Sequence, residues 1–342
     1  MWQMLVAPRY NLLNPACGKG PINIFFAGSG FTYDLAYRAG VRKRLLSWHA
    51  NTDEDVQEYV KAQEEGRESF GICDSGAFTV WNKGGTIDVN EYAKKLVQLL
   101  QHFDMSANLD VIPGKKGMAA SDITKKITED AAAAGFRNYR ILCSYLDAEG
   151  FDSINRVMPI YHQGESMDWL KKMLDEGCTY IGVSPSNDYQ TPQRQHWLDD
   201  VFDYLLTLPK MPKTHGYAVT SPRLMKQYPW FSVDSASWVR TGAYGNVNTP
   251  YGMITLTDRE ETMGKPGSFD SHEYSPEMRA KIAAYFQKIG TSVDALRGDF
   301  KERWFANAKY LVDLESQMVY TPRMKAMTIF DEEEVQESDE ML

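Results

Sequence analysis

Cysteine is scarce in this chain, and what there is lies scattered. Cys17, Cys73, Cys143 and Cys178 show neither the paired spacing that holds zinc nor the dense framework that staples small secreted folds, so they read as reduced, mostly core thiols. The six histidines likewise form no H-x-x-x-H or H-x-H pair, which leaves a dedicated metal site with little support. No uninterrupted apolar run approaches the length of a membrane span. Residues 1–10 also lack the basic-then-apolar pattern of a signal peptide, and the expectation is a soluble cytoplasmic protein without a membrane partner.

Positive charge is also in short supply. The net charge is −9, but seven acids and no base fall within residues 331–342, so the rest of the chain is nearly neutral. The acidic end reads as a disordered, solubilising segment, with mimicry of nucleic acid as the sharper alternative. Any nucleic-acid footprint must then be a local basic patch rather than a global field. With 342 residues, 43% of them apolar, the chain can bury a core large enough for one α/β barrel with additions or for two ordinary domains.

What is abundant is alternation. Short apolar runs at 22–27, 44–49, 70–74, 107–112, 157–162, 179–183, 214–219 and 231–234 read as strands, separated by helical or helix-length stretches. Thr52 and Asp53 cap one helix, Asn90 the next and Ser166 another, while Ser221-Pro222 has the N-cap and N1 arrangement. Residues 139–145 fit strand or helix by composition. Counting them as helical gives eight strands, the signature of a (β/α)8 TIM-type barrel in one chain. The expected organisation is a barrel over 1–245, an appended loop and helical region over 246–325, and the acidic tail over 326–342.

Chemistry concentrates at the strand ends. The third strand runs into Asp74-Ser75-Gly76-Ala77-Phe78, placing a carboxylate, a hydroxyl, a permissive glycine and an aromatic face at one mouth. A helix cap explains Asp74 and Ser75 as well, since both residue types satisfy orphan backbone N–H groups. Asp110, Gln163-Gly164, the backbone of Gly182 to Ser184, and Asp234 end other strands and would share the same mouth. The donor and acceptor types match a guanine-like base: Asp110 could accept from its N–H edge, and Gln163 or a backbone N–H could donate to its carbonyl. Phe78 and Tyr217 could sandwich the ring, although aromatics at such positions are more often simply core.

This ordered set resembles the tRNA-guanine transglycosylase family. The family's Asp-Ser-Gly-Gly-aromatic pocket motif is similar to Asp74-Ser75-Gly76-Ala77-Phe78, and its Gln-Gly strand end to Gln163-Gly164. Asp110 resembles its strand-end aspartate, residues 180–184 loosely echo its Gly-rich sixth strand end, and residues 231–234 with Arg240 approximate its nucleophile strand. The likeness covers about residues 22–245. It departs in two ways: Ala77 replaces the second glycine, and the zinc-binding Cys-x-Cys-x-x-Cys and His are absent. The chain looks more like the phage-type relatives that exchange guanine for a 7-deazaguanine in DNA, which would place it in the host cytoplasm.

The resemblance implies Asp234 as nucleophile at C1′ and Asp74 as general acid/base, with Asp110, Gln163, Gly164, Gly182, Ser75, Phe78 and Tyr217 around the base. The partners implied are DNA, or tRNA in the other branch, and a free base such as preQ0 or preQ1. No cofactor is needed, the family's zinc site is absent, and the oligomeric state is left open. Trp238, Arg240, Arg259, Lys115 and Lys116 are candidates to hold the strand beside a flipped base, against structural roles such as a core plug for Trp238. An unrelated barrel hydrolase or lyase, or a silent purine-binding barrel, are the competing classes.

Overall fold

A computed structural model describes residues 22–28, 32–115, 117–186, 191–219, 221–257 and 264–318. Cys17, Ser29, Gly30, Lys116, Arg259 and the acidic end at 331–342 lie outside the described residues. In chain order the first elements are β1 (Asn23–Ala27), α1 (Tyr33–Ala39), β2 (Lys43–Ser47), α2 (Asp53–Glu64), β3 (Phe70–Asp74), α3 (Ala77–Asn82), α4 (Val89–Leu99) and β4 (Met105–Ala107). Next come α5 (Lys125–Ala148), β5 (Val157–Met158), β6 (Ile160–His162), α6 (Met167–Asp175), β7 (Tyr180–Ser184) and α7 (Thr191–Leu206). The barrel ends with β8 (Lys213–Gly216), α8 (Pro222–Gln227), β9 (Ser232–Ser235) and α9 (Ser237–Ala243). A hairpin of β10 (Asn246–Thr249) and β11 (Gly252–Thr255) then leads to α10 (Pro276–Ile289), α11 (Val293–Gly298) and α12 (Phe300–Gln317).

The nine barrel strands are parallel, in the order β5-β4-β3-β2-β1-β9-β8-β7-β6. Nine appear where eight were expected because residues 157–162 are split at Pro159, which has no N–H to give to a ladder. That one segment serves both ends of the sheet. Asn108 N–H donates to Met158 O on one side (2.9 Å), and Gly182 N–H to Pro159 O on the other (2.8 Å). The sheet therefore curls until its ends meet, giving an α/β TIM-like barrel with C-terminal helices. Residues 139–145 fall inside α5, as the strand count required.

Several boundaries differ from the sequence reading, and two of them bear on the site or the caps; β2 also stops at Ser47 and β8 at Gly216. The fourth strand pairs only over Met105–Ala107. Past the Asn108 N–H the chain leaves the ladder because polar groups here turn to α5: Asn108 Nδ2 donates to Gly135 O (3.0 Å), and Asn138 Nδ2 to Leu109 O (2.9 Å). At α4 the cap is Asp88, not Asn90, since its carboxylate accepts from the N–H groups of Asn90 and Glu91.

Alternation along the strands divides the core. Phe25, Leu45, Phe70, Ile72, Met105, Met158, Tyr180 and Phe231 fill the barrel interior. Their outward neighbours, among them Ile24, Phe26, Leu46 and Cys73, pack under the helices. The C-terminal elements have a small core of their own around Val247, Ile254, Phe286 and Leu296. They also dock on the barrel: Glu315 of α12 accepts from Ile24 N–H (3.1 Å) and pairs with Lys43 (2.5 Å). Gly242 allows this approach, since a Cβ there would fall 2.6 Å from the Trp304 ring. Among the described residues, no helix is long and apolar enough to cross a membrane.

Candidate active site

The C-terminal mouth of the barrel collects the acids. Ser47 and Asp74 sit opposite each other in the β2–β3 register, and the chain turns immediately after Asp74. Asp74 accepts from Gly76 N–H (3.0 Å) across that turn. Gly76 has φ +76°, a left-handed conformation, and a Cβ there would meet Ser47 Oγ at 2.7 Å and His49 Cβ at 2.8 Å, so no other residue fits. Burial pushes the Asp74 carboxyl up, Asp110 adds to this, the Gly76 bond opposes it and Asp234 reinforces it, to about 7. A carboxyl at that value can both give and take a proton near neutrality.

Asp110 reaches the same mouth from the segment that α5 holds out of the ladder. Its Oδ2 lies 2.9 Å from His162 Nε2 at the end of β6. The other ring nitrogen, Nδ1, lies 3.1 Å from Glu165 Oε1. Glu165 is fixed in turn, because its second oxygen accepts His162 N–H (3.1 Å) and its side chain is almost wholly buried. Burial lowers the His162 pKa, but Glu165 and Asp110 together outweigh it and raise it to about 10.

Asp234 ends the series on β9. Its Oδ1 accepts from Ala218 N–H (2.8 Å), and Ala218 has φ +52°, the one non-glycine in the left-handed region among the described residues. His215 Nε2 stands 3.5 Å from the same oxygen. His215 is fully buried, its Nδ1 is bonded to Ser232 Oγ (2.6 Å), and Ser232 is bonded to Tyr180 OH. Tyr217 lies across Gly182: a Cβ on that glycine would fall 2.6 Å from the Tyr217 ring. Its hydroxyl has no hydrogen-bond partner among the described residues. Burial, then Asp74, Asp110 and Asp234, push its pKa well above the usual phenol value.

The remaining expected site residues separate into groups. Ser75 is buried, and its hydroxyl accepts Ala77 N–H (3.2 Å), which braces the turn. Gln163 donates to Gln193 O (3.3 Å) and accepts from Ser186 N–H (3.1 Å), committing its amide to the loop after β7. Gly164 makes the turn between His162 and Glu165 with φ +103°. Phe78 is 61% exposed on α3, with its ring 6.2 Å from that of Trp81, whose Nε1 donates to Gly114 O beside exposed Lys115.

Arg240 is exposed on α9, but Trp238 is corrected: it is fully buried, and its indole N–H donates to Ala27 O (2.9 Å). A side chain plugged between β1 and α9 presents nothing to a nucleic acid. His162, Glu165, His215 and Ala218 were not singled out from the sequence. His162 adjoins Gln163 at a strand end, and the alternation of strand side chains could have flagged it as the partner facing the other way.

Among the described residues, no group of three or more His, Cys, Asp or Glu is arranged to hold a metal ion. No protein-family model matches the chain, and a search of curated proteins finds no match. The fold and site thus define the class: an α/β barrel with three carboxyl groups and a carboxyl-bonded histidine at its C-terminal mouth.

Proposed function

We propose that this protein is a base-exchanging transglycosylase, which replaces guanine in DNA by a free 7-deazaguanine such as preQ0 or preQ1. Asp234 attacks C1′ of the target nucleoside, with Oδ2 as the attacking atom because Oδ1 is held by Ala218 N–H. The C1′–N9 bond breaks, Asp74 gives its proton to the departing base, and a glycosyl ester of Asp234 remains. An incoming base then loses its N9 proton to Asp74, attacks C1′ and expels Asp234. Two displacements retain the configuration, and the sequence calls for no cofactor.

The observation that carries this reading is the unequal setting of two acids at one mouth. Asp74 is raised to about 7, whereas Asp234 accepts a backbone N–H directed by a strained residue. Environments that differ in this way distinguish an acid/base from a nucleophile. The resemblance to the guanine transglycosylases supports the same assignment.

The test is incorporation. The protein is incubated with a labelled 7-deazaguanine and either duplex DNA or tRNA, the nucleic acid is digested to nucleosides, and the label is read by mass spectrometry with Asp234→Ala as control. Label in DNA, lost in the variant, is the expected result. Label in tRNA alone moves the substrate to RNA, and label in neither rejects base exchange.

A further inference from the structure

Both ring nitrogens of His162 face carboxylate oxygens, Nε2 toward Asp110 and Nδ1 toward Glu165. An ionised carboxylate only accepts, so each nitrogen must carry a proton to make its bond. A neutral imidazole satisfies one of these contacts and leaves the other as two acceptors in opposition. With both carboxyls ionised, the pair of bonds therefore specifies an imidazolium. The charged groups facing it are Glu165 from its own turn and Asp110 from the segment after β4. Asp74 feels the charge of Asp110, and Glu129 of α5 is occupied by Ser166 N–H (2.9 Å) and the Trp169 indole (2.7 Å).

We propose that His162 is a positioning residue: clamped by Glu165, it holds Asp110 ionised and oriented, with one oxygen left to accept an N–H from the edge of the bound heterocycle. This rests on the base-exchange reading for the identity of the ligand, but not for the charge state of the site. The consequence is a division of labour among acids that would otherwise share protons. With an imidazolium beside it, Asp110 stays charged, and its charge contributes to keeping the proton on Asp74, where the departing base needs it. The burial of Glu165 explains why the cation persists, since a lone histidine at this depth would be neutral.

Two titrations test this on the full chain. Imidazole nitrogen NMR should find His162 doubly protonated at about pH 8, and neutral there in Glu165→Gln. Carboxyl carbon NMR should find the Asp110 midpoint about one unit or more higher in His162→Gln than in the wild type. A neutral His162 in the wild type at that pH, or an Asp110 midpoint unmoved by His162→Gln, overturns the proposal.

Calorimetry with free guanine gives the functional arm. His162→Gln should weaken binding about tenfold at about pH 5 and less at about pH 8, because without the imidazolium beside it Asp110 takes up a proton more readily in acid. Equal weakening at both pH values marks a merely structural role and overturns the proposal. If the wild type binds no guanine, base exchange fails, and the two titrations still decide the role of His162. If His162→Gln does not fold, Glu165→Gln keeps the charge test open.

Discussion

Two buried ionic groups in this molecule look alike by titration and differ in everything that makes a site. One is the mouth, where Asp74 is raised to about 7. The other lies between the sheet and its helices, where Glu68 is also raised to about 7, first by burial, with Arg44 opposing. Arg44 Nε stands 3.8 Å from Glu68 Oε1, both side chains are buried, and the Arg44 guanidinium lies over the Tyr33 ring at 4.1 Å. Yet Arg44 points outward from β2 into the helix layer, beneath Tyr33 and Tyr37, with no route to a substrate. A raised carboxylate by itself therefore identifies burial, and only its setting beside other groups points to function. What marks the mouth is that several acids from different strand ends share it, beside a histidine flanked by two carboxyls and an oriented N–H.

The sharpest way to break this comparison is to cross activity with stability. Asp234→Ala should lower base exchange by about 10⁴-fold or more with little change in unfolding midpoint, because it removes the group that forms the bond. Arg44→Met should do the reverse, costing about 3 kcal/mol in urea unfolding at about pH 8 while leaving kcat within a factor of about two. The double variant Arg44→Met with Glu68→Leu should recover most of that loss, since no charge is then left buried alone. If Arg44→Met abolishes exchange in a folded protein, the two regions are not separate.

A second test uses pH. Asp74 and Glu68 both have folded pKa values above their ordinary ones, so the folded state holds their protons more tightly. Their contribution to stability is complete below about pH 4 and is lost as the pH rises through about 7. His162 has the same sign over a different window, present below about 6.5 and lost as the pH rises through about 10. Asp74→Asn and Glu68→Gln should each flatten the fall in stability between about pH 5 and 8, on the order of 2 kcal/mol apiece. The distinction between the regions then lies in rate. Only Asp74→Asn should remove the exchange reaction, and a pH–rate profile equally altered by Glu68→Gln would contradict it.

Much of the barrel was legible in the sequence because period-2 apolar runs and capped amphipathic helices each predict their own element. Thr52 caps α2 with Asp55 reciprocating, and Ser166 caps α6. The local pattern could not place the end of β4, because Asn108 and Leu109 are drawn away by Gly135 and Asn138, partners 27 and 29 residues distant. The site divided along the same line. Asp74, Asp110 and Asp234 follow from strand-end position, which is a local property. The clamp on Asp110 requires knowing that β6 and the segment after β4 face each other, and the burial of Trp238 requires knowing that α9 folds back over β1.

The surface offers a milder contrast. Arg240 and Trp238 are two residues apart on α9, one exposed and one buried. If α9 flanks a bound strand, Arg240→Ala should weaken DNA binding a few-fold and reduce the salt slope by about one. Trp238→Phe should leave both unchanged while costing about 1–2 kcal/mol of stability through the lost indole bond and packing. Binding isotherms over a range of salt separate the two, and a salt slope unaltered in Arg240→Ala removes it from the interface.

The smallest expected effect is at Ala218, and it bears on why the mouth differs from the helix layer at all. A left-handed alanine costs roughly 1 kcal/mol over glycine, and the backbone pays it here to direct one N–H at Asp234 Oδ1. Ala218→Gly relieves that strain but enlarges the freedom of the unfolded chain, so the two effects largely offset and stability should change by less than about 1 kcal/mol. The N–H survives the substitution, but its direction is less firmly held. If the strain serves to aim the donor, exchange should slow by a factor of about three to ten at nearly constant stability. If the turn between β8 and α8 merely tolerates the conformation, the rate should not move, and Ala218 would then belong with Arg44 and Glu68 as structure that happens to be costly.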